Sequence, residues 1–263
     1  MHEQVVYYDD PLRDDFADNH ISTQTVGAEF DYVPQGILYN TFGTLLYYLI
    51  AIPVVWLLAK ICLGLRMKNR KALRKVRGGP FYLYGNHTQN LDAVIPAIAA
   101  FPQRAYVIAH RDAVSIPGLR TIVQMLGAIP VPSSLSGMEP FAKALEQRAQ
   151  EGACIGIYPE AHVWPYYTGV RPFKAAPFRY PARTGRPVVA MAATYRPRRF
   201  LFWKLRPAMT VTFSEPMYPD PVLSPRHAQE DLRRRVYEFL VQETSRPGNV
   251  AYIQYLPREN EKD

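Results

Sequence analysis

The chain has 263 residues, 48% of them hydrophobic. That is enough for one α/β core of ordinary size with an appended segment, and it excludes a disulfide-stapled peptide or a disordered polyelectrolyte. The two cysteines, Cys62 and Cys154, lie far apart and read as free thiols in a reducing compartment. The formal net charge of +8 is unevenly spread: residues 1–35 hold eight acids against the single base Arg13, and residues 60–77 hold eight bases and no acid.

Residues 1–35 show no helical periodicity and read as an acidic N-terminal arm, flexible or draped on the surface, with no chemistry assigned. Residues 36–77 read as a membrane-associated segment with a basic flank. Within it, ILYNTFGTLLYYLIAIPVVWLLA, from Ile37 to Ala59, runs 23 residues without a charge. As a helix this covers about 30 Å of hydrocarbon. Tyr39, Tyr47, Tyr48 and Trp56 suit interfacial anchoring, and Pro53 offers a kink or a shallow hairpin, so spanning and re-entrant arrangements both fit. Acidic residues precede the run and no small-residue cleavage site follows, unlike a secretory signal. A buried core helix of a soluble protein is the bland alternative. The adjoining bases suit anionic lipid, and the apolar run beside them decides against nucleic acid. By the positive-inside bias the main domain faces the cytoplasmic side of the cell membrane.

The compact domain is expected at residues 78–245. Gly78-Gly79-Pro80 marks a turn, and FYLYG at 81–85 reads as a short buried strand. Further strand-length apolar runs lie at 105–109, 128–131, 153–158, 187–194 and 209–213. Helix-like stretches separate them at 91–100, 118–126 and 138–150, and a last one at 226–243 opens on Ser224-Pro225. This alternation predicts an α/β domain, a mixed, largely parallel sheet flanked by helices, with active residues in loops at the strand ends. Residues 246–263 read as a C-terminal tail.

Two clusters carry candidate chemistry. In Gly-Asn-His-Thr-Gln-Asn-Leu-Asp, His87 leaves the first strand, and one helical turn brings Asp92 back beside its ring. A carboxylate on one ring nitrogen fixes the tautomer and leaves the other nitrogen to take a hydroxyl proton. Asn86 and Asn90 suit turn-stabilising hydrogen bonds. The bland reading is a loop histidine with a capping aspartate. The second cluster, Tyr158-Pro159-Glu160-Ala161-His162, follows another strand, with Arg171 and Lys174 further on. These cations suit a phosphate or an acidic carrier, or else form a solvated basic loop. Two other functions compete: a metal-dependent hydrolase with His87, Asp92, Glu160 and His162 as ligands, and a non-catalytic membrane adaptor.

The order of these motifs resembles the 1-acylglycerol-3-phosphate acyltransferases and related glycerolipid acyltransferases, over roughly residues 80–215. Asn86, His87 and Asp92 match the Asn-His-x4-Asp block. Residues 109–132 resemble the second block, Tyr158-Pro159-Glu160 the Phe-Pro-Glu-Gly block, Phe173-Lys174 a Phe-Lys pair, and residues 187–190 the apolar fourth block. The resemblance implies that His87 is the catalytic base and Asp92 its partner. The candidate substrate contacts are Asn86, Glu160, Arg171, Lys174 and Arg111, and the resemblance implies an acyl thioester of coenzyme A or acyl carrier protein as co-substrate, with no metal or redox cofactor. The acceptor is then a lysophospholipid or a related membrane lipid. Two positions depart from the pattern: Ser133 stands where the second block ends in an acceptor-binding Arg, and Ala161-His162-Val163 replaces Gly-Thr-Arg. Trp164-Pro165-Tyr166-Tyr167 beside Glu160 suits a sugar or lipid platform, or buried packing.

Overall fold

The computed structural model describes residues 4–16, 23–116, 118–198 and 206–258. Seven strands form the main sheet: β2 (Arg66–Lys68), β3 (Phe81–Gly85), β4 (Ala105–Ala109), β5 (Ala128–Pro130), β6 (Cys154–Ile157), β7 (Val188–Arg196) and β8 (Ala208–Phe213). Their spatial order is β2-β8-β7-β3-β6-β4-β5. Only the β7–β8 pairing is antiparallel. The expected mixed, largely parallel sheet is therefore present. Strand β3 is central and buried along its whole length, as a run without alternation requires. Cys62 and Cys154 are free thiols.

Helices cover both faces. One core layer includes Phe141 and Leu145 of α6 (Met138–Gln150) and Leu232, Val236 and Leu240 of α8 (Pro225–Thr244) against Tyr82, Tyr84 and Ile155 of the sheet. Ser224 caps α8, its hydroxyl accepting from the His227 amide, and Pro225 occupies the first turn, as the sequence signal anticipates. On the opposite face, Leu73 of α2 (Arg70–Arg74) and Ile95 and Ile98 of α3 (Asn90–Ala100) pack on Phe81, Leu83 and Met191. Gly156 in β6 allows this approach, because a Cβ there would stand 2.6 Å from Pro96 Cγ. Short helices α4 (Asp112–Ser115), α5 (Arg120–Met125) and α7 (Arg179–Thr184) complete the connections.

The apolar segment is one continuous helix, α1 (Ile37–Ile61), rather than a hairpin, and by length and composition it is able to cross a membrane. Pro53 has no N–H for the carbonyl four residues back, and the chain accommodates this with a π turn at Leu46–Ala51. One face packs on the domain. Gly43 meets Met125, and Tyr47 lies under the Arg104 guanidinium with its hydroxyl accepting from the Ala105 amide at 3.1 Å. The opposite face leaves Leu38, Phe42, Leu49, Ile50, Trp56 and Leu57 exposed.

Four elements fall where no regular structure is expected from sequence: two strands and α2 near the start of the chain and one strand in its tail. The basic flank is folded: β2 pairs with β8, and Leu65, Leu73 and Val76 enter the core while all eight bases remain outside. The acidic arm forms β1 (Gln4–Tyr8), which pairs in parallel with β9 (Ile253–Pro257) from the tail. Val26 and Tyr32, further along the arm, are buried in the core beside Phe141. These segments have too little alternation of their own, and their order comes from contacts more than a hundred residues away.

Candidate active site

The parallel pairing of β3 with β6 sets Tyr84 opposite Ile157, so the chain leaves both strands at the same level. Three residues further on lie His87 and Glu160, which are thereby brought together at the carboxyl ends of two central strands. Gly85 is required at the exit, since a Cβ would meet the Met191 side chain at 2.9 Å.

His87 keeps 17% of its side-chain surface exposed, whereas Asp92 is buried. The His87 Nδ1 lies 3.2 Å from Asp92 Oδ2. A carboxylate only accepts, so Nδ1 carries the proton and Nε2 is the free lone pair. The same Oδ2 accepts from the Thr88 and Gln89 amides at 2.6 and 2.8 Å, which is the capping arrangement that opens α3. A local helix start thus positions the dyad. The His87 ring stacks on Tyr158 at 4.5 Å between centroids, and the Tyr158 hydroxyl donates to the Asp92 carbonyl at 2.5 Å. Burial raises the Tyr158 pKa well above its ordinary value, so this phenol stays a neutral donor.

Asn86 is buried and binds its own scaffold: its amide donates to the Ala193 carbonyl at 3.0 Å and accepts from the Ala193 N–H at 2.8 Å, locking the loop to β7. Glu160 and Arg171 form a buried ion pair at 3.3 Å. Glu160 also accepts from the His87 and Arg171 amides, and Arg171 reaches the carbonyls of Glu160, His162 and Pro11. Burial pushes the Glu160 carboxyl up to about 7, against the opposing pull of Arg171. The pair ties the two loops together, since Glu160 holds the His87 amide and Arg171 at once. Lys174 is exposed, and Arg111 is half-buried at the start of α4. None of Asn86, Arg111, Glu160, Arg171 and Lys174 lines the cleft that His87 faces.

That cleft has a volume of about 570 Å³. Val107, Ile116, Val131, Met138 and Phe141 make apolar walls; the polar groups besides His87 include Asp15, His110, Asp112, His162 and Arg179. His110 pairs with Asp112 at 3.0 Å and His162 with Asp15 at 3.4 Å. Sequence reading missed Asp15 and Arg179 as site residues: Asp15 sits in an arm without a motif, and Arg179 in a helix start that resembles no functional block. Trp164 is buried between Tyr8 and Tyr255 and offers no platform to a ligand. Among the described residues no three His, Cys, Asp or Glu side chains gather at metal-binding distances.

A largely parallel sheet with a His–Asp dyad at its strand ends, opening on a mostly apolar cleft, defines an α/β protein built like a group-transfer enzyme. Residues 65–194 match the family model described as Acyltransferase, so this stretch of the chain is an acyltransferase domain. The structure is similar to that of the 1-acyl-sn-glycerophosphate (LPA) acyltransferase PlsC from Thermotoga maritima, with a TM-score of 0.50 and 15% identity over 80% of this chain and 96% of that one. No curated protein matches in sequence.

Proposed function

We propose that the protein transfers a fatty acyl chain from an acyl thioester to a hydroxyl of a lysophospholipid or related acceptor at a membrane surface, with His87 as general base and Asp92 as its orienting partner. The observation that carries this reading is the dyad: Nδ1 is held by a buried carboxylate while the ring stays open to an apolar cleft. Nε2 takes the acceptor hydroxyl's proton as the oxygen bonds to the acyl carbon. The carbon–sulfur bond breaks, and the imidazolium returns the proton to the departing thiolate, giving an ester and a free thiol. The negative charge of Asp92 favours the imidazolium during the exchange. No covalent acyl-enzyme is needed, and coenzyme A or acyl carrier protein supplies the chain.

The exposed face of α1 and the exposed bases of the following segment support a membrane site for this chemistry, because both lie on one continuous stretch of surface chain. The domain faces the cytoplasmic side in this reading. The test is incubation of the full chain with labelled acyl-CoA or acyl carrier protein and a panel of lysolipids. Transfer lost in His87→Ala supports the mechanism; transfer unchanged in His87→Ala and Asp92→Asn refutes it.

A further inference from the structure

Helix α1 is long enough to cross a bilayer, yet its inner face is committed to the domain along most of its length. Gly43 is buried against Met125, Tyr47 meets Arg104 and Ala105, and the Tyr48 hydroxyl donates to the Pro102 carbonyl at 3.1 Å. Further on, Val55 packs on the core and Ala59 is buried within it. From Gly43 to Ala59 these contacts cover about 24 Å of helix at about 1.5 Å per residue, against a hydrocarbon layer about 30 Å thick. A spanning α1 would carry the adjoining domain surface, Arg104 included, into hydrocarbon, where a charged side chain is expensive. A helix packed in this way lies along a membrane.

The apolar surface beside α1 is wider than α1 itself. Phe101 is exposed, its ring 6.4 Å from that of Tyr48 between centroids. Around α5, Leu119, Ile122 and Leu126 are exposed and follow the spacing of one helical stripe. Met125, next to Leu126, is the residue that meets Gly43, so the stripe borders α1. The segments that build this surface, residues 37–77, 93–111 and 113–138, contain no Asp or Glu. Arg120 opens α5 and eight bases end or follow α1, all of them exposed. An apolar face flanked by bases matches a leaflet that contains anionic lipid.

Resting on the membrane site proposed above, we infer that the protein seats on one leaflet without crossing it, and that α5 and Phe101 enter the lipid beside α1 as a second anchor. This anchor lies at the lip of the cleft: Ile116 and Val131, which line the cleft, precede and follow α5 in the chain. A lipid chain thus passes from the leaflet to the cleft along apolar side chains.

Two measurements on the full chain test this. In sealed membrane vesicles of known orientation, from cells that express the protein, a membrane-impermeant maleimide is applied to Cys62, exposed just after α1. It is applied likewise to Gln35→Cys, just before α1, in a Cys62→Ser background; Cys154 is buried and does not report. Both sites react alike from the same side if α1 lies on one leaflet. One site reacting before detergent and the other only after it overturns the one-leaflet seat. The second anchor is read by flotation with vesicles of phosphatidylcholine mixed with phosphatidylglycerol. Ile122→Asp with Leu126→Asp lowers the partition coefficient at least about tenfold, and Phe101→Ser, on a separate loop, at least about threefold, with thermal unfolding unchanged. Partition within about twofold of wild type in either folded variant overturns the second anchor. Thiol release from acyl-CoA, compared between wild type and His87→Ala, is measured in parallel. Its independence of His87 defeats the acyl-transfer reading and leaves both membrane results standing, whereas unaltered labelling and partition defeat only the footprint.

Discussion

Replacement of Asp92 by asparagine isolates the charge of the dyad from its geometry. Oδ2 receives the Thr88 and Gln89 amides and His87 Nδ1–H, so three donors orient the new amide with its oxygen in the same place. Its NH2 then occupies the position of Oδ1, which is buried without a partner. An unsatisfied buried donor costs about 1–3 kcal/mol, a loss a folded domain of this size tolerates. The catalytic loss is larger. A carboxylate about 4 Å from the imidazolium charge contributes about 4 kcal/mol at an effective dielectric of about 20. At 1.36 kcal/mol per tenfold, kcat is expected to fall by about three orders of magnitude. The assay is single-turnover thiol release from saturating acyl-CoA, alongside thermal unfolding of both proteins. A folded Asp92→Asn protein that keeps more than a tenth of wild-type kcat would falsify the assignment of an electrostatic role to Asp92.

Other outcomes follow from the same contacts. Arg171→Leu strands the buried Glu160, costing about 3–5 kcal/mol at pH 8; at pH 5 the loss is much smaller, because the carboxyl is protonated there. In the wild type the raised Glu160 pKa works in the same direction: stability falls as pH rises from the ordinary carboxylate range of 4.5 toward about 7, and urea unfolding across that window measures it. A flat profile for Arg171→Leu rejects the buried-pair account. Tyr158→Phe loses the hydroxyl's bond to the Asp92 carbonyl, with an expected cost of about 0.5–1.5 kcal/mol and a kcat reduced a few-fold at unchanged KM. Leu49→Asp with Leu57→Asp removes two exposed apolar side chains from α1, each contributing about 1.5–3 kcal/mol on burial in lipid. Vesicle flotation is expected to drop by at least tenfold with unfolding unchanged, and full retention on vesicles assigns the anchor elsewhere.

Much of the architecture is legible in the sequence because buried parallel strands announce themselves as short apolar runs. FYLYG and the run around Cys154 fall where β3 and β6 form, and Ser224-Pro225 opens α8. The dyad is legible too, since a strand exit followed by one helical turn dictates the His87–Asp92 approach locally. What escapes is set by distant contacts. Nothing near Arg66–Lys68 shows that it will complete a sheet edge beside β8, and the bases there conceal the alternate inward placement of Leu65 and Met67. The expected roles of Arg171 and Asn86 also depend on direction: each side chain turns inward, to Glu160 and to Ala193, and sequence spacing carries no information about which way a loop residue faces. Asp15 reaches the cleft from 147 positions before His162, a separation that no local motif encodes.

The pairing of β1 with β9 orders events in time as well as in space. Gln4 emerges early in synthesis, yet its ladder partner Ile253 follows about 250 residues later. Closing so long a loop is entropically costly and comes late in folding. The central sheet and the dyad at its strand ends are therefore able to assemble while the arm is still unmoored. The arm that carries Asp15 along the cleft also touches the tail, through the β1–β9 ladder and the Phe16–Tyr255 ring contact at 5.5 Å, so one wall of the cleft is tied to residues near both ends of the described chain.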